Sequence, residues 1–190
     1  MVIGITGTNG AGKGALVDYL VAEKGFTYYS SSGFLAEELD RRGIEKTRTN
    51  LRGVGNEFRE KYGSGYLTET FLDTAKKEGI TDVVIESIRS TGEAQKIKES
   101  GGVLLVIDAE RKLRYARIFE RKTGKDFVDF DTFVEQEERE WYGAEGQHDM
   151  NVQKVIAMGD YTIMNNGTLE ELHRETDTVL EEIKKRKENK

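Results

Sequence analysis

Residues 7–14 read Gly7-Thr8-Asn9-Gly10-Ala11-Gly12-Lys13-Gly14, and this stretch decides the fold of the chain. It follows the apolar run Val2–Ile5 and precedes a segment with helical apolar spacing, so the context predicts a strand, a loop and a helix. Glycines let such a loop curl its N–H groups into a concavity at the helix N-terminus, where phosphate is stabilised. The spacing Gly-x4-Gly-Lys fits the phosphate-binding P-loop, in which Lys13 supplies a full charge to the outer phosphates.

One position of the loop departs from that pattern. A Ser or Thr that contacts magnesium usually follows the P-loop lysine, but Gly14 and Ala15 occupy the next two positions here. The alternative reading is a glycine-rich turn with an incidental lysine, which the position directly after the first strand disfavours. We therefore expect ATP phosphates to contact Gly7, Thr8, Asn9, Gly10, Ala11, Gly12, Lys13, Gly14 and Ala15.

Composition narrows the kinds of site that the chain can build. Its 190 residues can bury a sizeable core, and we expect a single domain over residues 1–190. The chain has no Cys, which excludes disulfides and thiolate chemistry, and its two His are far apart, which disfavours a histidine metal site. A net charge of −6 gives no general reason to expect nucleic acid or an anionic membrane. Apolar runs are too short to cross a bilayer and no signal pattern opens the chain, so we expect a cytoplasmic protein.

The segment Asp82–Glu86 predicts a short apolar strand that ends in a carboxylate, Glu86. A carboxylate at the carboxyl end of a central parallel strand lies beside the P-loop, where it can hold a magnesium ion or its water. Glu86 is therefore the candidate metal ligand and a candidate catalytic residue. Ser90 and Glu93 then fit a capping box that opens the next helix.

A charged excursion, residues 122–131, separates two later helices. We expect Asp108 to cap the first helix and Thr132 to cap the second. Arginines that return from both sides suit closure over phosphates, because guanidinium groups match phosphate oxygens. We therefore predict a lid rather than a merely solvated hairpin, with catalytic candidates Arg117, Arg121 and Arg139.

Alternating strands and helices behind a P-loop argue for a parallel sheet that is covered on both faces. Together with residues 52–63, 83–90 and 159–167, the loop resembles the small P-loop kinases of the nucleoside-monophosphate-kinase class. The resemblance is strongest to an adenylate-kinase-related, dephospho-CoA-kinase-like branch, and it covers nearly the whole chain. It implies an α/β, three-layer P-loop kinase fold with a five-stranded parallel sheet, a helical acceptor-binding region near residues 31–77 and a helical lid near residues 117–140.

The same resemblance assigns further site residues. Ser32 and Gly33 resemble the start of the acceptor-site helix, and residues Asn165, Asn166 and Gly167 resemble the loop near the donor adenine. The cofactor it implies is Mg2+ with ATP, held mainly by ATP oxygens, water and Glu86, which stands where this branch commonly has Asp. Arg52 and Arg89 are placed on the acceptor side, where both can grip one phosphate.

The acceptor decides the reaction, because an alcohol benefits from a carboxylate that takes its proton whereas a nucleotide phosphate is already an anionic nucleophile. Dephospho-CoA kinases usually share an acidic residue shortly after the second strand. The corresponding segment here, residues 28–33, contains no acidic residue. We therefore expect ATP-dependent transfer to a nucleoside or deoxynucleoside monophosphate. Two alternatives stay open: dephospho-CoA, since Glu86 can act as base, and an ATP-binding regulatory or RNA-associated protein with slow hydrolysis, since the loop lacks its hydroxyls.

Overall fold

The computed structural model describes residues 1–120, 129–142 and 151–188. Its sheet has five parallel strands in the order β2-β3-β1-β4-β5, so β1, which leads into the P-loop, lies at the centre. The predicted α/β fold with a five-stranded parallel sheet is confirmed. The strands are β1 Val2–Gly7, β2 Thr27–Ser30, β3 Val83–Glu86, β4 Val103–Asp108 and β5 Tyr161–Met164.

Helices cover both faces of this sheet. Three of them, α2 to α4, occupy the region predicted to bind the acceptor, and α6 and α7 are the helices on either side of the predicted lid. The short helix α8 was not predicted, and residues 121–128 and 143–150 lie outside the described part. The helices are α1 Lys13–Lys24, α2 Ser31–Arg41, α3 Arg48–Tyr62, α4 Tyr66–Lys77, α5 Thr91–Glu99, α6 Arg111–Glu120, α7 Phe130–Tyr142, α8 Val152–Ala157 and α9 Leu169–Glu188.

Two buried clusters fill the space on the two faces of the sheet. Val84 of β3 belongs to the cluster with α1 and α9, whereas Val83 and Ile85 belong to the cluster with α2 to α5. Successive side chains of a strand point to opposite faces, so Glu86 shares the face of Val84. The carboxylate therefore projects on the side of the sheet that carries the P-loop helix. In the described ranges no helix is long and apolar enough to cross a membrane.

Helix caps test the local predictions directly. The capping box of Ser90 and Glu93 is present at the start of α5. The predicted cap at Thr132 is wrong, because α7 begins at Phe130 and the Asp129 carboxylate accepts from the Thr132 N–H at 2.7 Å. Asp108 lies three residues before α6, and its carboxylate instead accepts from the Thr8 hydroxyl and the Ala109 N–H. The difference at Thr132 arises from a nearer cap, Asp129, whereas the difference at Asp108 involves Thr8, which is distant in sequence.

The loop between β1 and α1 needs glycine at some positions and not at others. Gly12 caps α1 with φ at +103°, in the left-handed region, and a methyl group there would collide with the Asn165 amide. Gly14 lies in the first turn of α1, and nothing lies within 4 Å of where its Cβ would stand. The backbone therefore requires glycine at position 12 and only tolerates it at position 14.

We predict opposite effects of alanine at these two glycines. Gly12→Ala should lower the free energy of unfolding by more than about 1 kcal/mol, because it combines a disfavoured φ with a collision. Gly14→Ala should raise it by about 0.5–1 kcal/mol, because alanine loses less chain entropy in a helix. Urea unfolding of both variants measures the difference, and equal effects would contradict the loop geometry described here.

Candidate active site

A cleft of about 270 Å³ opens between the P-loop, the first turns of α1 and the ends of β2 and β3. It brings together the sequence-predicted lysine and the sequence-predicted carboxylate, which lie 73 positions apart in the chain (86 minus 13). The residues that line it are Gly10, Gly12, Lys13, Gly14, Val17, Asp18, Tyr28 and Glu86.

Lys13 is the first residue of α1 and lies directly behind the loop. Its ammonium group donates to the carbonyl oxygens of Gly7 at 3.1 Å and Thr8 at 2.8 Å. Gly12, at the N-cap, has no side chain to cover the first N–H groups of the helix. The positive end of the helix dipole and the ammonium group therefore meet at the same wall of the cleft, which suits an anion.

A buried arginine supports the loop from behind. The Arg114 side chain of α6 is 5% exposed, donates to the carbonyl oxygens of Ala109 at 2.8 Å and Asn9 at 3.2 Å, and pairs with Glu137 of α7. One guanidinium thus joins the P-loop to both helices beside the predicted lid. Sequence reasoning missed this role, because Arg114 reads as one of several arginines on a charged helix.

The loop predicted to face adenine also supports the P-loop. Asn165 is buried, and its amide group donates to the carbonyl oxygen of Ala11 at 2.8 Å. Asn166 accepts from the Glu110 N–H at 2.8 Å, and Arg117 donates to the Asn165 carbonyl oxygen at 2.9 Å. Both asparagine side chains therefore have structural partners, and the adenine contact of residues 165–167 stays a prediction.

Glu86 lines the same cleft as the P-loop, and polar groups lie next to its carboxylate. The Ser87 hydroxyl donates to Oε2 of Glu86 at 2.6 Å. Burial raises the pKa of the Tyr28 hydroxyl, the Ser30 hydroxyl lowers it, and the negative charges of Glu86 and Asp18 raise it further. Tyr28, Asp18 and Glu86 line the same cleft, on the α1 face of the sheet.

Asp18 and Tyr28 are cleft residues that sequence reasoning missed. A signal for Asp18 was present, because it lies four residues after Gly14 and thus on the same face of α1. Tyr28 and Ser30 are two residues apart on β2, so their side chains point to the same face of the sheet. Ser30 pairs in register with Glu86, so Tyr28 lies on the face that carries Glu86. The placement of Tyr28 needed the strand register, which the sequence pattern alone does not supply.

The predicted acceptor residues lie outside this cleft lining. Ser32 and Gly33 occupy the first turn of α2, where the Ser30 hydroxyl accepts from the Gly33 N–H at 2.9 Å. Arg89 is half-buried, and its N–H donates to Glu93 at 2.7 Å. Arg52 is half-buried in α3, and its side chain makes no hydrogen bond or ion pair with another described residue. Its guanidinium is therefore available to an anion, and the acceptor role of these residues stays a prediction.

The remaining lid candidates are only partly described. Arg117 of α6 contacts the Asn165 loop rather than Lys13 or Glu86. Arg121 lies outside the described residues, and so does the side chain of Arg139, although Arg139 belongs to α7. The predicted lid and the catalytic roles of these arginines therefore stay predictions.

The donor atoms of the cleft fit magnesium that arrives with a nucleotide. Mg2+ prefers oxygen ligands, keeps several waters and is usually bound through one or two carboxylates plus substrate phosphates. Glu86 and Asp18 are two carboxylates on a cleft that also holds the phosphate-binding loop. Within the described residues no group of three or more His, Asp or Glu is arranged to hold a metal ion by itself. The residues present therefore suit Mg2+ carried by ATP rather than a permanent metal centre.

Comparison with solved structures supports the fold over nearly the whole chain. Shikimate kinase from Bacteroides thetaiotaomicron matches with a TM-score of 0.61 and 14% identity, over 95% of this chain and 98% of that one. Shikimate kinase from Aquifex aeolicus matches with a TM-score of 0.55 and 20% identity, over 95% of this chain and 96% of that one. At these identities the likeness shows a shared P-loop kinase fold.

Sequence comparison identifies closer relatives. No protein-family model matches the chain. A UPF0200 protein of Pyrococcus horikoshii is 28% identical over 191 residues, covering 96% of this chain and 97% of that protein. A UPF0200 protein of Sulfurisphaera tokodaii is 30% identical over 183 residues, covering 96% of this chain and 97% of that protein. This identity, sustained from one end to the other, shows that the chain belongs to the UPF0200 family.

Proposed function

We propose that this protein transfers the γ-phosphoryl group of ATP to a small phosphorylated acceptor, and that the acceptor is a nucleoside or deoxynucleoside monophosphate. One observation carries the proposal: a P-loop with its lysine and a strand-end carboxylate line one cleft. The P-loop by itself would suit any nucleotide-binding protein. Its pairing with Glu86, in a fold shared with proteins named shikimate kinases, favours transfer to a small molecule.

The residues of the cleft divide the work between binding and charge stabilisation. The inward N–H groups of the loop and the N-terminus of α1 bind the β- and γ-phosphates. Lys13 exchanges the carbonyl oxygens of Gly7 and Thr8 for phosphate oxygens and stabilises the charge of the transferring group. Glu86 and Asp18 would hold the Mg2+ that arrives with the nucleotide, and that ion would supply positive charge to the phosphates.

The side chain of Arg52 is the observation that favours an anionic acceptor. A half-buried guanidinium with no partner among the described residues is costly to desolvate, and a bound phosphate would satisfy it. Arg52 belongs to α3, in the helical region 31–77 that we assign to the acceptor. A monophosphate also needs no general base, since it is already ionised near neutral pH.

An alcohol acceptor such as dephospho-CoA is the second candidate, and a specific observation favours it. Glu86 is a carboxylate on the cleft wall and can take the proton of an attacking hydroxyl group. The two candidates differ in what Glu86 does, not in how ATP binds. An acceptor panel separates them without further structural work.

The function is tested by ADP release from ATP, measured by a coupled assay over ribo- and deoxynucleoside monophosphates, dephospho-CoA, shikimate and no acceptor. We expect stimulation by at least one monophosphate. Stimulation by dephospho-CoA alone would replace our acceptor with the second candidate. Acceptor-independent release throughout would instead indicate an ATP-hydrolysing regulatory protein.

We predict that Lys13→Ala lowers turnover by about 100-fold or more, because an ammonium that stabilises transition-state charge is lost. The protein should stay folded, since the ammonium group of Lys13 donates to carbonyl oxygens of the loop and takes no part in either buried apolar cluster. Lys185→Ala, at an exposed position of α9, is the matched control and should leave turnover unchanged. Wild-type turnover of folded Lys13→Ala protein would refute the kinase mechanism.

We predict that Arg52→Lys lowers acceptor efficiency by about one to two powers of ten while sparing ATP affinity. Lysine keeps the charge but loses the planar fork that grips phosphate, and a charge-assisted hydrogen bond contributes roughly 1.5–3 kcal/mol. Arg89→Lys should act in the same direction, and the two losses should be non-additive if one phosphate is shared. Kinetics with ATP and acceptor varied separately measure this, with exposed Arg174→Lys as control. Impaired ATP binding with normal acceptor use would move both arginines to the donor side.

We predict opposite changes in magnesium use from two variants of the cleft. Gly14→Ser places a hydroxyl where open space faces the nucleotide, and should tighten magnesium-dependent ATP affinity by up to about tenfold relative to Gly14→Ala. Glu86→Gln keeps the size but loses the anionic ligand, and should weaken magnesium-dependent affinity and turnover more than binding without metal. Titrations at varied Mg2+ measure both, and an unchanged magnesium dependence in Glu86→Gln would remove Glu86 from the metal site.

A further inference from the structure

Ser87 has a backbone conformation that serine rarely adopts. Of the non-glycine residues that the structure describes, it alone has a positive φ, at 70°. The left-handed region places Cβ too close to the backbone, so glycine is favoured there and serine costs free energy. A side chain kept at such a position is a reason to ask what that side chain does.

The neighbours of Ser87 hold it in this conformation. Glu86, before it, pairs in register with Ile5 on β1. After it, the N–H of Ile88 donates to the Ile5 carbonyl oxygen at 3.2 Å, and the Thr6 hydroxyl donates to the Ile88 carbonyl oxygen at 2.8 Å. The chain is thus tied to β1 on both sides of Ser87, and the turn between these ties is forced.

The hydroxyl group is what serine adds over glycine at this turn. Ser87 is 7% exposed, and its hydroxyl donates to Oε2 of Glu86 at 2.6 Å. That distance is typical of a charge-assisted O–H···O⁻ bond, which is shorter and stronger than a neutral one. A hydroxyl fixed by a forced turn therefore holds one oxygen of the carboxylate that faces the P-loop.

We propose that Ser87 is a positioning residue, whose hydroxyl fixes the Glu86 carboxylate in the orientation in which it holds the Mg2+ of bound ATP. This deepens the proposed function and rests on it, since it requires that the cleft bind magnesium and ATP. It also offers a compensation for the missing hydroxyls at Gly14 and Ala15. With no P-loop oxygen on the metal, the orientation of Glu86 carries more of the metal affinity.

Two substitutions separate the hydroxyl from the backbone conformation. Ser87→Ala removes the hydroxyl and keeps the unfavourable φ, whereas Ser87→Gly removes both. A purely structural serine would show its effect in stability, and the two variants would then differ, with Ser87→Gly at least as stable as the parent. A positioning serine instead makes both variants lose the same magnesium-dependent affinity, whatever their stability.

The test is calorimetric titration of the full chain with a non-hydrolysable ATP analogue, once with Mg2+ and once with EDTA. Removing a partner of a metal ligand typically costs 10- to 100-fold in metal affinity. We expect both Ser87 variants to bind the analogue about 10- to 100-fold more weakly with Mg2+ and equally well with EDTA. The matched control is Ser100→Ala, whose hydroxyl bonds the Ile97 carbonyl oxygen at the end of α5 and which should match the parent.

A double-mutant cycle with Glu86→Gln completes the test. If Ser87 acts through Glu86, then adding Ser87→Gly to Glu86→Gln should cause no further loss of magnesium-dependent affinity. Parental affinity of Ser87→Gly with Mg2+, or a full additional loss in the Glu86→Gln background, would overturn the inference. The titrations use no acceptor, so failure of every acceptor in the turnover panel would reject the proposed transfer reaction separately.

Discussion

The inward turn of the P-loop is the constraint on which the rest of the site depends. A loop that aims its N–H groups at phosphate turns its carbonyl oxygens outward, and buried carbonyl oxygens need donors. Three side chains from three parts of the chain supply them: Arg114 bonds Asn9, Asn165 bonds Ala11, and Lys13 bonds Gly7 and Thr8. Helix α1, helix α6 and the turn after β5 thus each supply a donor to the carbonyl oxygens of the loop.

Sequence patterns correctly predicted the structural features that depend on residues close together in the chain. The P-loop, the strand that ends in Glu86 and the capping box of Ser90 follow from residues close in sequence, and each is present. Arg114, Asp18 and Ser87 gain their roles from tertiary neighbours, so their residue types alone did not reveal them. The error at Thr132 is local instead, since Asp129 accepts from the Thr132 N–H and α7 therefore begins at Phe130, before Thr132. Sequence therefore predicted the loop and the strand-end carboxylate better than the side chains that support them.

The shared scaffold and the proposed acceptor-binding helices are different parts of this protein. Proteins named shikimate kinases share this fold at 14–20% identity, and one fold can host many functions. In the function that we propose, the helices α2 to α4 bind the acceptor, and the half-buried Arg52 belongs to α3.

The ion pair of Arg114 with Glu137 restricts how α7 can travel. Both side chains are at least nine-tenths buried, and separating such a pair by moving one partner away costs roughly 3–5 kcal/mol. Arg114 cannot follow a departing helix, because it also bonds the carbonyl oxygens of Asn9 and Ala109. Glu137 is therefore a pivot about which α7 can tilt or roll. A translation of the whole helix would instead disturb the P-loop, because Arg114 joins the two.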